Sequence, residues 1–331
     1  MTMMKVPIVI RFTILLSSLY FRDVCTMESL RFLTIGDMGG VDIEPFSTYF
    51  ERCTAIEMGK MADIYAPQFV LELGDNFYMD GVKSVDDMRF NATYESVYIS
   101  KSLQIPWYII AGNHDHHGNV TAQILYSHRS KRWKFPDFYY YKEFTVATGN
   151  ETFGIIFIDT VLLCGNSFDN ESTQPLGPEH KTDAEVQWAF IEKHLKTSKA
   201  NYLFTAGHYP IYSTATHGPT QCLVDRLLPM LEKYNANGHL AGHEHNLQHL
   251  RTKSKNGMAM DFFVSGMANT VDPFALHEKS VPPGSSLFHY GNLLSYGGFM
   301  YSEVTAANMT VTLINGKGKQ LYTTVVWPRL K

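Results

Sequence analysis

The 331-residue chain is poor in charge, and no Lys/Arg run in it points to a nucleic-acid surface. Only 18% of residues are charged, the formal net charge is −4 and the pI is near 6.4. That balance gives no basis for a nucleic-acid surface. Long apolar runs are missing beyond the N-terminal segment, so no membrane span is expected in the mature chain. Internal repeats, low-complexity tracts and linkers are also missing, which leaves one large domain. With 45% hydrophobic residues, that domain can bury a sizeable core. Cysteine is scarce, at four. Cys25 lies at the edge of the N-terminal segment, leaving Cys53, Cys164 and Cys222 with three possible pairings. Cys164 follows a strand-like run and Cys222 follows the loop after His208, which places both near a cleft rim. Bridging them would be worth about 4 kcal/mol in the chain-entropy picture. Cys53 sits in a helix-like stretch and is expected as a buried free thiol.

What is present begins with a secretory signal. Lys5 and Arg11 precede the apolar run Phe12 to Phe21, and polar residues follow. That run is shorter than the roughly 20 residues needed to cross a bilayer. Cleavage is expected between Ser18 and Ser29, dividing the chain into a signal peptide, 1–26, and a domain, 27–331. Five Asn-x-Ser/Thr sequons, at Asn91, Asn119, Asn150, Asn170 and Asn308, agree with passage through the secretory pathway.

The most informative pattern is an apolar run, then Gly, then a side chain able to bind metal. Leu30 to Ile35 leads to Gly36-Asp37. Phe69 to Leu73 leads to Gly74-Asp75, with Tyr78 three residues on. Trp107 to Ala111 leads to Gly112-Asn113-His114-Asp115, Tyr202 to Ala206 to Gly207-His208, and His239 to Ala241 to Gly242-His243-Glu244-His245. A strand that ends in Gly frees the next side chain to point into a cleft. The spacing predicts helices over Tyr49 to Ala66 and Val85 to Lys101, and a helix capped by Asp183 with a stripe of Ala184, Trp188, Ile191 and Leu195. Phe138 to Val146 alternates as an antiparallel strand does, and Phe153 to Ile158 reads as a core strand. Strands alternate with helices through Asp37, Asp75 and Asn113, which implies βαβ units. Beyond Asp261 the runs Phe262 to Ser265, Gly298 to Val304, Met309 to Ile314 and Leu321 to Val326 are expected to form an antiparallel half. Asn166 to Lys181 and Asn269 to Ser286 are expected as long loops.

Asp37, Asp75, Tyr78, Asn113, His208, His243 and His245 make seven donors, which suit two ions sharing one carboxylate. Asp75 is the central carboxylate and the natural bridge. Carboxylate and phenolate oxygens favour a hard ion such as Fe(III), and amide oxygen with imidazole suits a divalent ion. His114 and His217 are surplus to that set and fit a general-acid role toward an alcohol leaving group. His116, His117, His239 and His249 are read as structural or solvent-facing.

At these residues the chain resembles the purple acid phosphatases, within the calcineurin-like metallophosphoesterases, and specifically their small, tartrate-resistant animal type. The phrases that carry the likeness are Gly-Asp-Met-Gly-Gly at Gly36, Leu-Gly-Asp-Asn-Phe-Tyr at Leu73 and Ala-Gly-Asn-His-Asp-His at Ala111. Asp-Thr-Val-Leu-Leu-Cys-Gly-Asn-Ser at Asp159, Ala-Gly-His-Tyr-Pro at Ala206 and Gly-His-Glu-His-Asn-Leu-Gln at Gly242 continue it. The resemblance implies a mixed α/β fold, a four-layer αββα sandwich of two mixed β-sheets flanked by helices. It implies a site in which Asp37, Tyr78 and His245 hold Fe(III), Asn113, His208 and His243 hold Fe(II) or Zn(II), and Asp75 bridges.

The implied activity is acid phosphatase hydrolysis of phosphate monoesters, small molecules or phosphoproteins, by a hydroxide held at the metals, in a secreted or lysosomal glycoprotein. Alternatives are a phosphodiesterase of the same fold and an iron-binding glycoprotein with incidental activity. The resemblance also implies a Cys164–Cys222 disulfide, a glycan at Asn119, and a loop (269–286) cut by an activating protease. Two departures stand out. Met38 replaces the usual Trp, and Thr216 replaces the Glu that mammalian members carry before the histidine matching His217. The second removes a proton-transfer partner and bears on pH optimum and leaving-group preference.

Overall fold

A computed structural model describes residues 29–146, 149–167 and 174–329. The expected signal peptide, Cys25 and the sequon at Asn170 lie outside these residues. Four parallel strands open the fold: β1 (Leu30–Ile35), β2 (Phe69–Glu72), β3 (Trp107–Ile109) and β4 (Trp133–Lys134). The chain then builds a second sheet from β5 (Tyr140–Thr145), β6 (Thr152–Phe157), β7 (Tyr202–Ala206), β8 (Gly238–Ala241), β9 (Leu247–Lys253), β10 (Ala259–Ser265) and β11 (Ser286–Tyr290). It returns to the first sheet as β12 (Gly298–Val304), β13 (Met309–Asn315) and β14 (Gln320–Val326), with β12 antiparallel to β1. The first sheet has the order β14-β13-β12-β1-β2-β3-β4, the second β11-β9-β10-β8-β7-β6-β5.

Alternation along the strands explains why the sheets stack. In β1, Leu30 and Phe32 face the second sheet while Leu33 and Ile35 face outward. In β6, Phe153, Ile155 and Phe157 face the first sheet and Ile156 faces outward. The central layer includes Phe32, stacked on Phe69 at 4.9 Å between ring centroids, with Phe204, Phe263 and Met300. Each such fully buried side chain contributes about 1.5–3 kcal/mol. Outside the first sheet lies α1 (Tyr49–Tyr65), whose Met58, Met61 and Ala62 join Tyr94, Tyr98, Trp107 and Trp133. Thr48 and Glu51 close a capping box at its start. A short helix, α2 (Val120–Tyr126), lies on the same side. Outside the second sheet lie α3 (Thr160–Cys164), α4 (Lys181–Thr197) and α5 (Gln221–Lys233), burying Trp188, Ile191, Leu195, Leu227 and Leu231. The result is the expected four-layer αββα sandwich.

Four expectations differ from the structure. Val85 to Lys101 is not one helix but a single π turn, Phe90–Glu95, followed by a 3-10 turn at Lys101–Leu103. The Asp87 carboxylate accepts from the Lys83 and Arg89 N–H groups, at 3.0 Å each, and a turn held this way competes with helix. Its aromatic residues still face the core. Asp183 is not the cap of α4, which begins two residues earlier, with His180 at the cap position. Asp183 lies in the first turn, where its charge complements the helix dipole. The later strands are not uniformly antiparallel, because β10 runs parallel to β8. Cys53 has no disulfide partner among the described residues but is half-buried, one position off the α1 stripe that includes Thr54, Ala55 and Met58.

Cys164 and Cys222 form a disulfide with Cα atoms 5.8 Å apart, tying α3 to α5. Among the described sequons, Asn91, Asn119 and Asn150 are exposed and Asn308 is half-buried.

Candidate metal centre

All five Gly-terminated runs end on one edge, where the two sheets meet. From the first sheet come Asp37 (after β1), Asp75 and Tyr78 (after β2), and Asn113 and His114 (after β3). From the second come His208 (after β7) and His243 and His245 (after β8). Glycine lets these ends approach closely. A Cβ on Gly112 would lie 2.1 Å from Asp75 Oδ1, and one on Gly242 would lie 2.6 Å from Asp37 Oδ2. Positive φ falls partly on the functional residues themselves: Asp37 and Asp75 both sit at 57° and His243 at 67°. Non-glycine residues rarely adopt this region, and they do so where surrounding structure fixes them. Here the His243 N–H donates to Asp37 Oδ2 at 2.8 Å, and the His114 N–H donates to Asp75 Oδ1 at 3.0 Å.

The side chains fall into two groups around Asp75. In the first, Tyr78 Oη lies 2.9 Å from Asp37 Oδ1 and 3.0 Å from His245 Nε2, and the last two are 3.5 Å apart. In the second, His208 Nε2 lies 2.9 Å from Asn113 Oδ1 and 3.4 Å from Asp75 Oδ2. The His243 ring is centred 5.0 Å from that of His208. Donor atoms of Asp37, Asp75 and His208 all lie within 4.8 Å of one another. Separations near 3 Å match the edges of a polyhedron whose metal bonds are about 2.0–2.1 Å. His208 donates its Nδ1–H to the Leu73 carbonyl at 2.8 Å, which leaves Nε2 for the centre. His245 is also held on its far side, with Nδ1 2.6 Å from Thr270 Oγ1.

Electrostatics add to the fit. Burial pushes the Tyr78 phenol well above its usual range, and the Asp37 and Asp75 carboxylates push it further. A phenolate here therefore needs a strongly charged cation beside it. Burial alone would raise Asp75, but His208 and His114 hold it below the usual carboxylate range. Burial opposes charge on His208 too, yet Asp75 holds it up at about 9. His243 is driven well down, by burial first and then by His217, His208 and its other imidazole neighbours.

A cleft of about 360 Å³ opens over the centre, lined in part by His114, His217 and Asn269. His114 donates Nδ1–H to the Met79 carbonyl at 2.7 Å. His217 is held by Glu244, a wholly buried carboxylate. Thr216 instead turns its hydroxyl to Asp272 Oδ2 at 2.5 Å. The remaining histidines stay out of the centre. His116 bonds Asp159, His239 bonds Thr205 and the Tyr209 carbonyl, His249 bonds Asp261 and Tyr322, and His117 is exposed. Glu244 and Thr270 were not anticipated. An acid between two candidate ligands is a signal for the first, whereas nothing in the sequence marks Thr270.

The calcineurin-like phosphoesterase family matches residues 30–247. Tartrate-resistant acid phosphatase type 5 of Oryctolagus cuniculus is 47% identical over 304 residues, 92% of each chain. The Homo sapiens protein of that name is 45% identical, over 89% of this chain and 90% of its own. Purple acid phosphatase 4 of Arabidopsis thaliana is 30% identical over 89% and 82%. Among solved structures, GAP50, the anchor in the inner membrane complex of Plasmodium, superposes with a TM-score of 0.75 at 23% identity, covering 92% of this chain and 90% of its own. A purple acid phosphatase from yellow lupin seeds gives 0.60 at 16% identity, covering 90% and 54%. These two share the fold. With its sequence phrases, its two-sheet edge and its relatives in agreement, the chain belongs to the purple acid phosphatases of the calcineurin-like phosphoesterase family.

Proposed function

We propose that this protein is an acid phosphatase that hydrolyses phosphate monoesters at a two-metal centre. The observation that carries the reading is the convergence of oxygen and nitrogen donors from both sheets around the single carboxylate of Asp75. Asp37, Tyr78 and His245 would hold Fe(III), and Asn113, His208 and His243 would hold Fe(II) or Zn(II), with Asp75 between them. Two such ions, when bound, supply Lewis-acid charge and lower the pKa of water. The chain does the rest. Leu73 and Thr270 orient the histidines, and the Gly-terminated loops bring the donors together. His114 and His217 face the cleft, where each can hydrogen-bond a phosphate oxygen or protonate the departing alcohol.

The N-terminal signal and the exposed sequons support a secreted or lysosomal glycoprotein. The 269–286 segment would be the place for an activating cut, because Asn269 and Thr270 line the cleft and Thr270 holds His245. Comparing turnover before and after limited proteolysis tests this, and no change removes the idea.

The first experiment is a visible spectrum of the purified protein before and after mild reduction. A purple band shifting toward pink is expected for Tyr78 on Fe(III) beside a redox-active iron, and a band unmoved by reduction indicates zinc as the partner. A colourless, metal-replete protein overturns the iron assignment. Assays with a phosphate monoester and a bis-substituted phosphate separate phosphatase from phosphodiesterase.

A further inference from the structure

We infer that Glu244 is a positioning residue for the reaction, fixing the tautomer and aim of His217 from a buried site between two of the candidate ligands. This rests on the phosphatase reading above and extends it to a residue outside the ligand set.

Glu244 is fully buried, and its two oxygens make their shortest bonds to different groups of the His217 loop. Oε1 accepts the backbone N–H groups of His217, at 3.1 Å, and Gly218, at 3.0 Å. Oε2 accepts the His217 Nδ1–H at 3.1 Å and lies a longer 3.4 Å from the His217 backbone N–H. The first pair of bonds shapes the loop, and the third sets the ring. A carboxylate has no hydrogen to give, so Nδ1 must carry the hydrogen and Nε2 becomes the atom that faces the cleft. The His217 ring is also centred 4.3 Å from that of His243, so its plane is held from two directions. A buried carboxylate that holds an imidazole in one tautomer and stabilises its cation is a recurrent solution in acid–base catalysis.

The proton balance is simple. Protonated His217 gives its Nε2 proton to the leaving oxygen as the P–O bond breaks, while the Nδ1 proton stays on the bond to Glu244. The neutral ring is left with Nε2 bare, ready to be reprotonated from solvent. With Thr216 turned away to Asp272, Glu244 is the carboxylate that His217 contacts.

Glu244→Gln separates the two tasks. A glutamine can place its oxygen at the Oε1 position and keep both backbone bonds. Its NH₂ then occupies the Oε2 position and donates to Nδ1, which forces the neutral ring into the opposite tautomer. Three readouts apply. Nitrogen-15 NMR of the His217 ring in the metal-free protein, with the ring neutral, should show the hydrogen on Nδ1 in the parent and on Nε2 in Glu244→Gln. In the metal-loaded enzyme, kcat/KM for an alkyl phosphate should fall about 10–100-fold, while a p-nitrophenyl ester, whose leaving group needs no proton, should fall much less. Metal content should not change. Finally, Glu244→Gln combined with His217→Ala should be no slower than His217→Ala alone, because residues acting as a unit are not additive.

An unchanged tautomer overturns the inference. So does an equal loss on both esters, or a further loss in the double variant. If the parent hydrolyses no phosphate ester at all, the phosphatase reading fails, yet the NMR result still decides whether Glu244 sets the ring.

Discussion

The two sheets bring different chemistry to the edge they share. The first contributes Asp37, Asp75, Tyr78 and Asn113, all oxygen donors, and beneath them the buried acids Glu72 and Asp115. The second contributes His208, His243 and His245, all nitrogen donors, with the buried imidazole of His239 behind them. Neither sheet holds a full half-site. On the proposed assignment each ion takes ligands from both, so the centre is also a clasp between layers. Protein bonds already cross there: the His243 N–H to Asp37 and His208 Nδ1–H to the Leu73 carbonyl. Behind the donors, Glu72 in the first sheet and His239 in the second should respond oppositely to pH, because burial keeps each neutral on the opposite side of its ordinary pKa.

Breaking the bridge should have the largest effect. Asp75→Asn removes the carboxylate common to both groups, and we expect metal content to fall with phosphatase activity dropping more than about 100-fold. Full metal retention would show that the two half-sites do not depend on Asp75. Next comes Tyr78→Phe, which should abolish the purple band while leaving the far-UV circular dichroism unchanged. Removing the metals tests the clasp directly. A ligand present at a hundred times its Kd stabilises the native state by about 2.7 kcal/mol, so chelation should lower Tm measurably and metal return should restore it. An unchanged Tm would mean that the sheets hold together without the ions.

The opposed pH responses give the smaller effects. Burial lowers His239 to about 4 from the ordinary 6.5. Below 6.5 the unfolded chain therefore binds a proton that the native state refuses. Stability falls as pH drops from 6.5 to about 4, and the contribution is constant above 6.5. His239→Gln should flatten that slope in urea melts at matched metal load. Glu72 in the first sheet has the opposite sign. Burial raises it well above its usual value; the Gly74 N–H opposes the shift, and Asp115 adds to it. Its contribution is full below the ordinary carboxylate pKa and is lost as pH rises through the folded value. Glu72→Gln keeps an acceptor for the Gly74 N–H, so it should cost little in acid and gain at alkaline pH, the smallest change of the set.

Much of this was legible in the chain, for identifiable reasons. The Gly-ligand punctuation works because close backbone approach admits no side chain, and that requirement writes itself into the sequence. The stripes of α1 and α4 and the antiparallel run of β12, β13 and β14 follow from periodicity. What escaped depends on partners distant in sequence. Asp87 diverts Val85 to Lys101 into turns, and β10 is parallel because β8 is its neighbour. The left-handed backbone of Asp37, Asp75 and His243 is held by hydrogen bonds across the edge. Thr270 is joined to His245 by folding alone.

Gly112 sets a limit that matters to anyone redesigning this centre. Ligands can be exchanged in kind, carboxylate for amide or imidazole for carboxylate, and the ion preference retuned. A single methyl at position 112 would sit 2.1 Å from an oxygen of Asp75, well inside contact distance. The most chemically inert residue at the edge is thus among the least replaceable, and a variant library should hold it constant while the donors are varied.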